Sequence, residues 1–283
     1  MGERGMTGSA SFRRLAVGEI EVFVLPDGVL DLPLALFPAA SEPGADAGFG
    51  PGPFPTAINC FAIRTAGRLY LVDAGAGPWR GPATGNLVSA MAAAGLDPEA
   101  VDAVLMTHLH GDHAGGLFTE TGAAFPKAEL MLAEAEAAFW SDPDLPSRIP
   151  ERMTATLATA TKALAAYAGR TTTFAAGREV APGVTAIALP GHTPGQTGYR
   201  IESGGEHLFI WADIVHVAAV QFPHPDWTIA FDTDGEEAAR TRGRVFAECA
   251  AEGTRIAGMH LAFPATGRVV RHGPAYAWAA DPI

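Results

Sequence analysis

The sequence predicts an α+β fold in which two β-sheets pack face to face, with helices on the outside. Three observations predict it. Strand-like and helix-like segments run in a duplicated order: strands, helix, strand, loop, helices, then strands, helix and strand again. No linker-like run divides the 283 residues and no short-period repeat is visible, so a single domain over residues 15–283 is expected. Hydrophobic residues make up 48% of the chain, enough for a sizeable core, and the many alanines favour close helix packing.

The elements follow in order. Residues 1–14 read as a disordered start; Arg13 and Arg14 hint at an export signal, but Glu19 and Glu21 interrupt its apolar stretch. Glu19–Leu25 alternates as a strand. Residues 32–55 are rich in Pro and Gly and carry Phe37, Phe49 and Phe54. A loop of that length reads as a functional flap or an oligomer contact. Strands are expected at Asn59–Arg64 and Leu69–Val72, joined by a turn at Gly67, and a helix at Asn86–Ala94 ended by Gly95. Asp97-Pro98 leads into an apolar strand, Val101–Met106. Between Lys127 and Arg170 the pattern turns helical, with Met153, Leu157, Ala160, Leu164 and Tyr167 forming one core-facing stripe. From Phe174 to Ile210 short strands return between glycines. Asp234 reads as an N-cap, with Glu237 completing a capping box for a helix to Ala250. A last strand pair surrounds His260 and ends near Arg271.

Bulk properties exclude several classes. A net charge of −12 argues against binding nucleic acid or an anionic membrane surface, and no apolar run approaches a membrane span. Cys60 and Cys249 stand alone without a CxxC, so a disulfide framework is not expected. A cytoplasmic location fits these features.

The chemistry is concentrated in Thr107-His108-Leu109-His110-Gly111-Asp112-His113. Four metal-ligand side chains fall within six consecutive residues, between an apolar strand and Ala114-Gly115-Gly116. Imidazole with carboxylate suits Zn, Mn, Fe or Co, and the lack of a cysteine ligand fits a hydrolytic site better than a structural zinc. The plain alternative is a polar loop that happens to be rich in histidine. Further candidates are His192 in Pro190-Gly191-His192-Thr193-Pro194-Gly195, Asp213 after Phe209-Ile210-Trp211-Ala212, and His260 after Ala257-Gly258-Met259. Each follows a short strand-like segment, so all can reach one sheet edge.

H-x-H-x-D-H, then H-T-P-G, then an Asp and a late His, resembles the metallo-β-lactamase fold superfamily. That superfamily has a four-layer αββα sandwich. Within it the chain looks most like the methyl parathion hydrolase group and its lactonase-like relatives. Thr56–Phe61, Leu71–Gly77, Ala212–Phe222 and Ala257–Pro264 carry that likeness, which runs from about Ala57 to Arg271. The resemblance implies two divalent metals, zinc being expected before Mn, Co or Fe. His108, His110 and His192 would hold one and Asp112, His113 and His260 the other, with Asp213 bridging. Asp112 and Asp213 would be the catalytic carboxylates. Asp73 would orient a ligating histidine, against the alternative of an ordinary turn Asp. His216 stands where acyl-homoserine lactonases carry a tyrosine and the methyl parathion hydrolase group a histidine, which implies a role facing substrate or behind the metals, against the alternative of a plain strand histidine. Phe61 and Trp140 match aromatic positions that line the leaving-group pocket, against the alternative that either is simply core, and Phe222 is expected in the substrate pocket with them. The group tends to form homodimers, and the Phe-bearing residues 32–55 offer an apolar contact surface. Relatives can also be exported.

The expected activity is hydrolysis of a neutral, fairly apolar lactone or ester by a metal-bridging hydroxide, with phosphotriester hydrolysis as a side activity. Residues Ser147–Thr154 lack the paired Phe of methyl parathion hydrolase, which weighs against a dedicated organophosphate hydrolase, the main alternative. A non-catalytic metal sensor is a second alternative. RNA-cleaving, glyoxalase II, true β-lactamase and electron-transfer branches do not fit. The chain lacks their insertion, basic helical extension, Cys or Ser near position 213, and flavin domain, respectively.

Overall fold

The computed structural model describes residues 12–42, 50 and 52–282. In chain order the strands are β1 (Arg13–Val17), β2 (Ile20–Leu32), β3 (Phe54–Thr65), β4 (Arg68–Val72) and β5 (Ala103–Leu105). A small ribbon, β6 (Phe118–Thr119) and β7 (Gly122–Ala123), precedes β8 (Glu129–Ala133) and β9 (Thr171–Phe174). The second half holds β10 (Glu179–Ala181), β11 (Val184–Ala188), β12 (Thr197–Ser203), β13 (Glu206–Ile210), β14 (Arg255–Ala257), β15 (Thr266–His272) and β16 (Ala275–Ala280). They form two seven-stranded sheets, ordered β1-β2-β3-β4-β5-β8-β9 and β10-β11-β12-β13-β14-β15-β16. This is the expected αββα arrangement.

Strand parity builds it. Successive side chains of a strand face opposite ways. Val22, Val24, Phe61, Ile63, Tyr70, Val72 and Leu105 therefore enter the core shared with Val184, Tyr199, Ile201 and Ile210 of the second sheet. Phe23, Leu25, Cys60, Ala62, Leu71 and Val104 face the other way. There they pack with Met91 of the helix Leu87–Ala93 and Ala160 and Ala163 of the helix Thr154–Ala166. On the second sheet, the helix Gly235–Glu252 contributes Val245, Phe246 and Cys249. Its N-cap is Asp234, whose carboxylate accepts the N–H of Glu237 at 2.9 Å.

Four expectations need correction. Arg13 and Arg14 open β1 instead of belonging to a disordered start; the rest of that segment, residues 1–11, lies outside the described residues. β2 runs on to Leu32 because Pro26-Asp27-Gly28 is a bulge within the strand, not the turn its composition suggests. Glu129–Ala133 is a strand, parallel to β5 and β9 and apolar on both faces, so its run lacks strand alternation. The phenylalanines of residues 32–55 are not the open apolar surface expected of them where they are described. Phe37 is fully buried and Phe54 packs with it in a satellite core containing Leu32, Val217, Val220, Trp227 and Ile229. Phe49 lies outside the described residues. Among the described residues no helix is long and apolar enough to cross a membrane.

Pairing direction fixes where a site can form. β4, β5, β8 and β9 run parallel, as do β13 and β14. The loops leaving β4, β5 and β8 thus emerge at one edge, as do those leaving β13 and β14, where open sheets place their ligands.

Candidate metal centre

The candidate ligands lie on these loops or, for His192, on the loop leaving β11, which points the same way as β13 because both pair antiparallel with β12. His108, His110, Asp112 and His113 follow β5, His192 follows β11, Asp213 and His216 follow β13, and His260 follows β14. The two sheet tips are strained where they turn: Asp73 and Ala212 both adopt positive φ (58° and 55°) without being glycine. The structure brings these side chains together. Four overlapping groups have ligand atoms within 4.8 Å of one another: His108/His110/His192, His108/His113/Asp213, Asp112/His113/His260 and His192/Asp213/His216.

Asp213 is the hub. Its Oδ2 lies 3.0 Å from His260 Nε2, 3.2 Å from His113 Nε2 and His216 Nε2, 3.4 Å from His192 Nε2 and 3.6 Å from His108 Nε2. One carboxylate oxygen cannot satisfy five imidazole nitrogens. His108 Nε2, His113 Nε2 and both nitrogens of His216 are buried without a hydrogen-bond partner.

The outer nitrogens explain why. His113 Nδ1 meets Asp73 Oδ2 at 2.7 Å, His192 Nδ1 meets Asp232 Oδ1 at 2.8 Å, and His260 Nδ1 meets the Ala57 carbonyl at 2.8 Å. Thr107 Oγ1 donates to Asp73 Oδ2 at 2.7 Å, so at 3.0 Å it accepts from His108 Nδ1. Each of these acceptors draws the ring proton outward and turns an Nε2 lone pair toward the centre. Lone pairs converging on a carboxylate call for cations between them, and the donor set fits two divalent metals.

Charge agrees with geometry. Burial pushes Asp213 up, but His113, His260 and His108 outweigh it and hold it well below the usual carboxylate range. Burial likewise raises Asp112 and is overcome by His113, His260 and Arg80, so it too is depressed. Burial lowers His192, yet its hydrogen bonds to Asp213 and Asp232 lift it to about 9. Burial wins at His216, pushed down to about 4, and at His108 and His110. The cluster attracts positive charge, as protons or as metal.

Several bracing residues have no signal in the local sequence. Asp232 holds His192 from a loop forty residues downstream. Glu136, fully buried, accepts Leu109 N–H (2.8 Å) and Trp140 Nε1–H (2.6 Å) on one oxygen, and Thr193 Oγ1–H (2.6 Å) and Gly195 N–H (3.2 Å) on the other. It thereby ties the first ligand loop to the His192 loop. The Asn59 amide donates to the carbonyls of Met259 and Leu261, both at 2.8 Å, setting the turn that carries His260. Asp27, turned inward by the β2 bulge, accepts the N–H groups of Ala76, Gly85 and Leu87. Only Asp73 was expected, and it makes three such bonds, including Thr107 N–H at 2.7 Å.

The cluster opens onto a cavity of about 410 Å³ whose walls include Leu30, Leu32, Trp79, Arg80, Arg152, Met153 and Phe231. The expected aromatic pocket is not what forms this wall. Phe61 has inward parity and is fully buried between the sheets. Phe222 stacks on Phe246 with ring centroids 4.9 Å apart, in the core beneath the long helix. Trp140 stands behind the ligands, its ring edge-on to His110 at 5.9 Å.

Two sheets delivering histidines and carboxylates from their strand ends to one buried cluster define a class, the αββα folds with a His/Asp metal-binding site at the sheet edge. Comparison with known proteins narrows it. The Metallo-beta-lactamase superfamily profile matches residues 53–247, and the chain belongs to that superfamily. The crystal structure of hydrolase AbOPH of the beta lactamase superfamily is 30% identical, with a TM-score of 0.87 over 98% of this chain and 99% of that one. AidC, a dizinc quorum-quenching lactonase solved with its product N-hexanoyl-L-homoserine, is 27% identical, with a TM-score of 0.89 over 97% and 99% of the two chains. The uncharacterised protein YobT of Bacillus subtilis is 30% identical over 152 residues, 53% of this chain and 59% of that relative, so the match spans under two thirds of its length.

Proposed function

We propose that this chain is a two-metal hydrolase that opens a small lactone or cleaves an ester of mainly apolar character, with phosphotriester hydrolysis as a side activity. The observation that carries this reading is the convergence of His and Asp donors on the floor of a cavity sized for a small molecule. Similarity along nearly the whole chain to a dizinc lactonase supports the lactone in particular.

His108, His110 and His192 would hold one ion, Asp112, His113 and His260 the other, and Asp213 would serve both. Zinc is the expected metal. When bound, the ions would supply a water acidic enough to attack at neutral pH and a Lewis acid for the carbonyl oxygen. Leu30, Leu32, Met153 and Phe231 give the substrate an apolar wall that limits water around the reacting bond. His216 lines the same cavity with Nε2 3.2 Å from Asp213 Oδ2 and Nδ1 without a partner, and would contact substrate or join the ligand set. Asp112, 18% exposed and on the cavity wall, would take the proton of the attacking water and pass it to the leaving oxygen. Asp112→Asn should then lower kcat by about a hundredfold while bound metal, measured by mass spectrometry, falls far less. Parallel loss of metal and turnover would leave Asp112 a ligand only.

The deciding experiment compares kcat/KM of the Zn-, Mn- and Co-loaded protein on a homoserine lactone, an aryl ester and a dimethyl aryl phosphotriester. A lactone preference of about a hundredfold, or roughly 2.7 kcal/mol, establishes a lactonase. The same preference for the triester replaces this reading with a dedicated phosphotriesterase. Bound metal without turnover on any of the three points to a sensor.

A further inference from the structure

The cavity wall carries two cations outside the ligand cluster, one of which, Arg80, also attracts the Asp112 carboxylate. Arg80 ends the turn Gly77–Arg80 and Arg152 lies in the turn Glu151–Met153; both line the cavity and are exposed. The acidic side chains on that wall are Asp112 and Asp213, both within the metal cluster. Elsewhere the chain is strongly acidic, with a net charge of −12, so these guanidinium groups stand out against the overall field.

Their placement is built. Arg80 lies over the ligand loop: its Nη2 is 2.7 Å and its Nε 3.2 Å from where a Cβ on Gly111 would stand. Glycine between His110 and Asp112 is what admits the guanidinium. The turn itself is anchored, since Trp79 Nε1 donates to the Gly115 carbonyl at 2.8 Å and Asp27 holds the N–H groups of Ala76 and Gly85. Among the described residues Arg80 makes no hydrogen bond and no close ion pair, its attraction to Asp112 acting at longer range. Arg152 Nε donates to the Ala230 carbonyl at 3.1 Å, which fixes its stem and leaves its terminal nitrogens unpaired. A planar guanidinium with free N–H groups matches the two oxygens of a carboxylate.

We propose that Arg80 and Arg152 form an anion-recognition rim, so that the substrate is an ester or lactone carrying a carboxylate away from the bond that is cleaved. This rests on the hydrolase reading and refines the wholly neutral substrate expected from the sequence. The apolar wall of Leu30, Leu32 and Met153 holds the middle of such a molecule while the arginines hold its charged end.

The test pairs two esters of equal length, phenyl hexanoate and monophenyl adipate, on the metal-loaded protein. The adipate should be favoured in kcat/KM by about tenfold at low salt, mainly through KM, and the advantage should shrink as added salt screens the rim. Arg80→Gln and Arg152→Gln should each cost the adipate ester severalfold more than the hexanoate, and Arg80→Lys should restore part of the loss. A second readout needs no turnover: calorimetric affinity for the matching amides, adipic monoanilide and hexananilide, in the wild type and the Arg80→Gln/Arg152→Gln double variant. An advantage for the anionic amide that the double variant loses supports the rim. Equal affinities overturn it, as does a preference that survives both substitutions, because the metals alone then attract the carboxylate. If neither ester is turned over while the arginine-dependent advantage in amide binding persists, the hydrolase reading fails and the rim stands.

Discussion

The two sheets supply the same centre in different ways. The first sends His108, His110, Asp112 and His113 from one loop after β5, so a single backbone path positions all four. The second sends His192, Asp213 and His260 from three loops, and no local geometry relates them. What relates them is bracing from elsewhere in the chain. Asn59 and Ala57 of the first sheet hold the His260 turn, Glu136 holds the His192 loop, and Asp232 holds the His192 ring. A compact motif carries its own geometry, whereas a dispersed one must borrow it.

The sharpest way to break this comparison is at the point where the two halves meet. Asp213→Ala removes the carboxylate facing five imidazoles and should cost roughly a thousandfold in kcat/KM. Metal analysis should show less than two ions per chain. Near-normal metal content and activity would mean that the halves assemble the centre independently.

Next come the two carboxylates behind the histidines. Asp73→Asn disturbs Thr107 and His113 together and should weaken zinc binding by about a hundredfold, whereas Asp232→Asn, which braces His192 alone among the ligands, should cost about tenfold. Competition with a chromophoric chelator measures both. The reverse order would show that the dispersed ligands, not the compact loop, limit affinity.

Glu136→Gln tests the tie between halves. Its carboxylate accepts four hydrogen bonds, and an amide can accept at only one of its two terminal atoms, leaving buried donors facing an NH2 group. Stability should fall by about 1–3 kcal/mol in denaturant titration. No change would mean that the loops hold their spacing without it.

The smallest effect is on pH dependence, read in chelator-treated protein. His192 is raised from 6.5 to about 9, so its contribution is fully present below about pH 6.5 and is lost as pH rises through about 9. His216 is lowered to about 4, so its contribution is present above pH 6.5 and is lost as pH falls toward about 4. From these two groups the denaturation midpoint should peak near pH 6.5, and zinc should flatten the alkaline arm by replacing the proton. An alkaline arm unmoved by zinc would separate His192 from the centre.

Much of this was legible in the chain. The run His108–His113 and the strand alternation of β3 and β4 are local patterns, and local spacing is what a sequence displays directly. The superfamily and the two-sheet fold followed from them. The β2 bulge was not legible, because Pro26-Asp27-Gly28 has the composition of a turn and only the register with β3 continues the strand. β8 was hidden because a parallel strand with apolar side chains on both faces has no alternation to read.

Function-bearing detail divided along the same line. The sequence by itself determined the kinds of donor available, imidazole and carboxylate without thiolate, and their order along the chain. Only the tertiary structure decided which residues stand behind them, because Asp232, Glu136 and Asn59 act across separations that no local pattern encodes. It also moved Phe61 and Phe222 from an expected pocket into the core and put Leu30, Arg80, Arg152 and Phe231 on the cavity wall instead. The physical reason is common to both: a ligand's chemistry is a property of its side chain, while its orientation and the shape of its pocket depend on which distant segments the two sheets bring into contact.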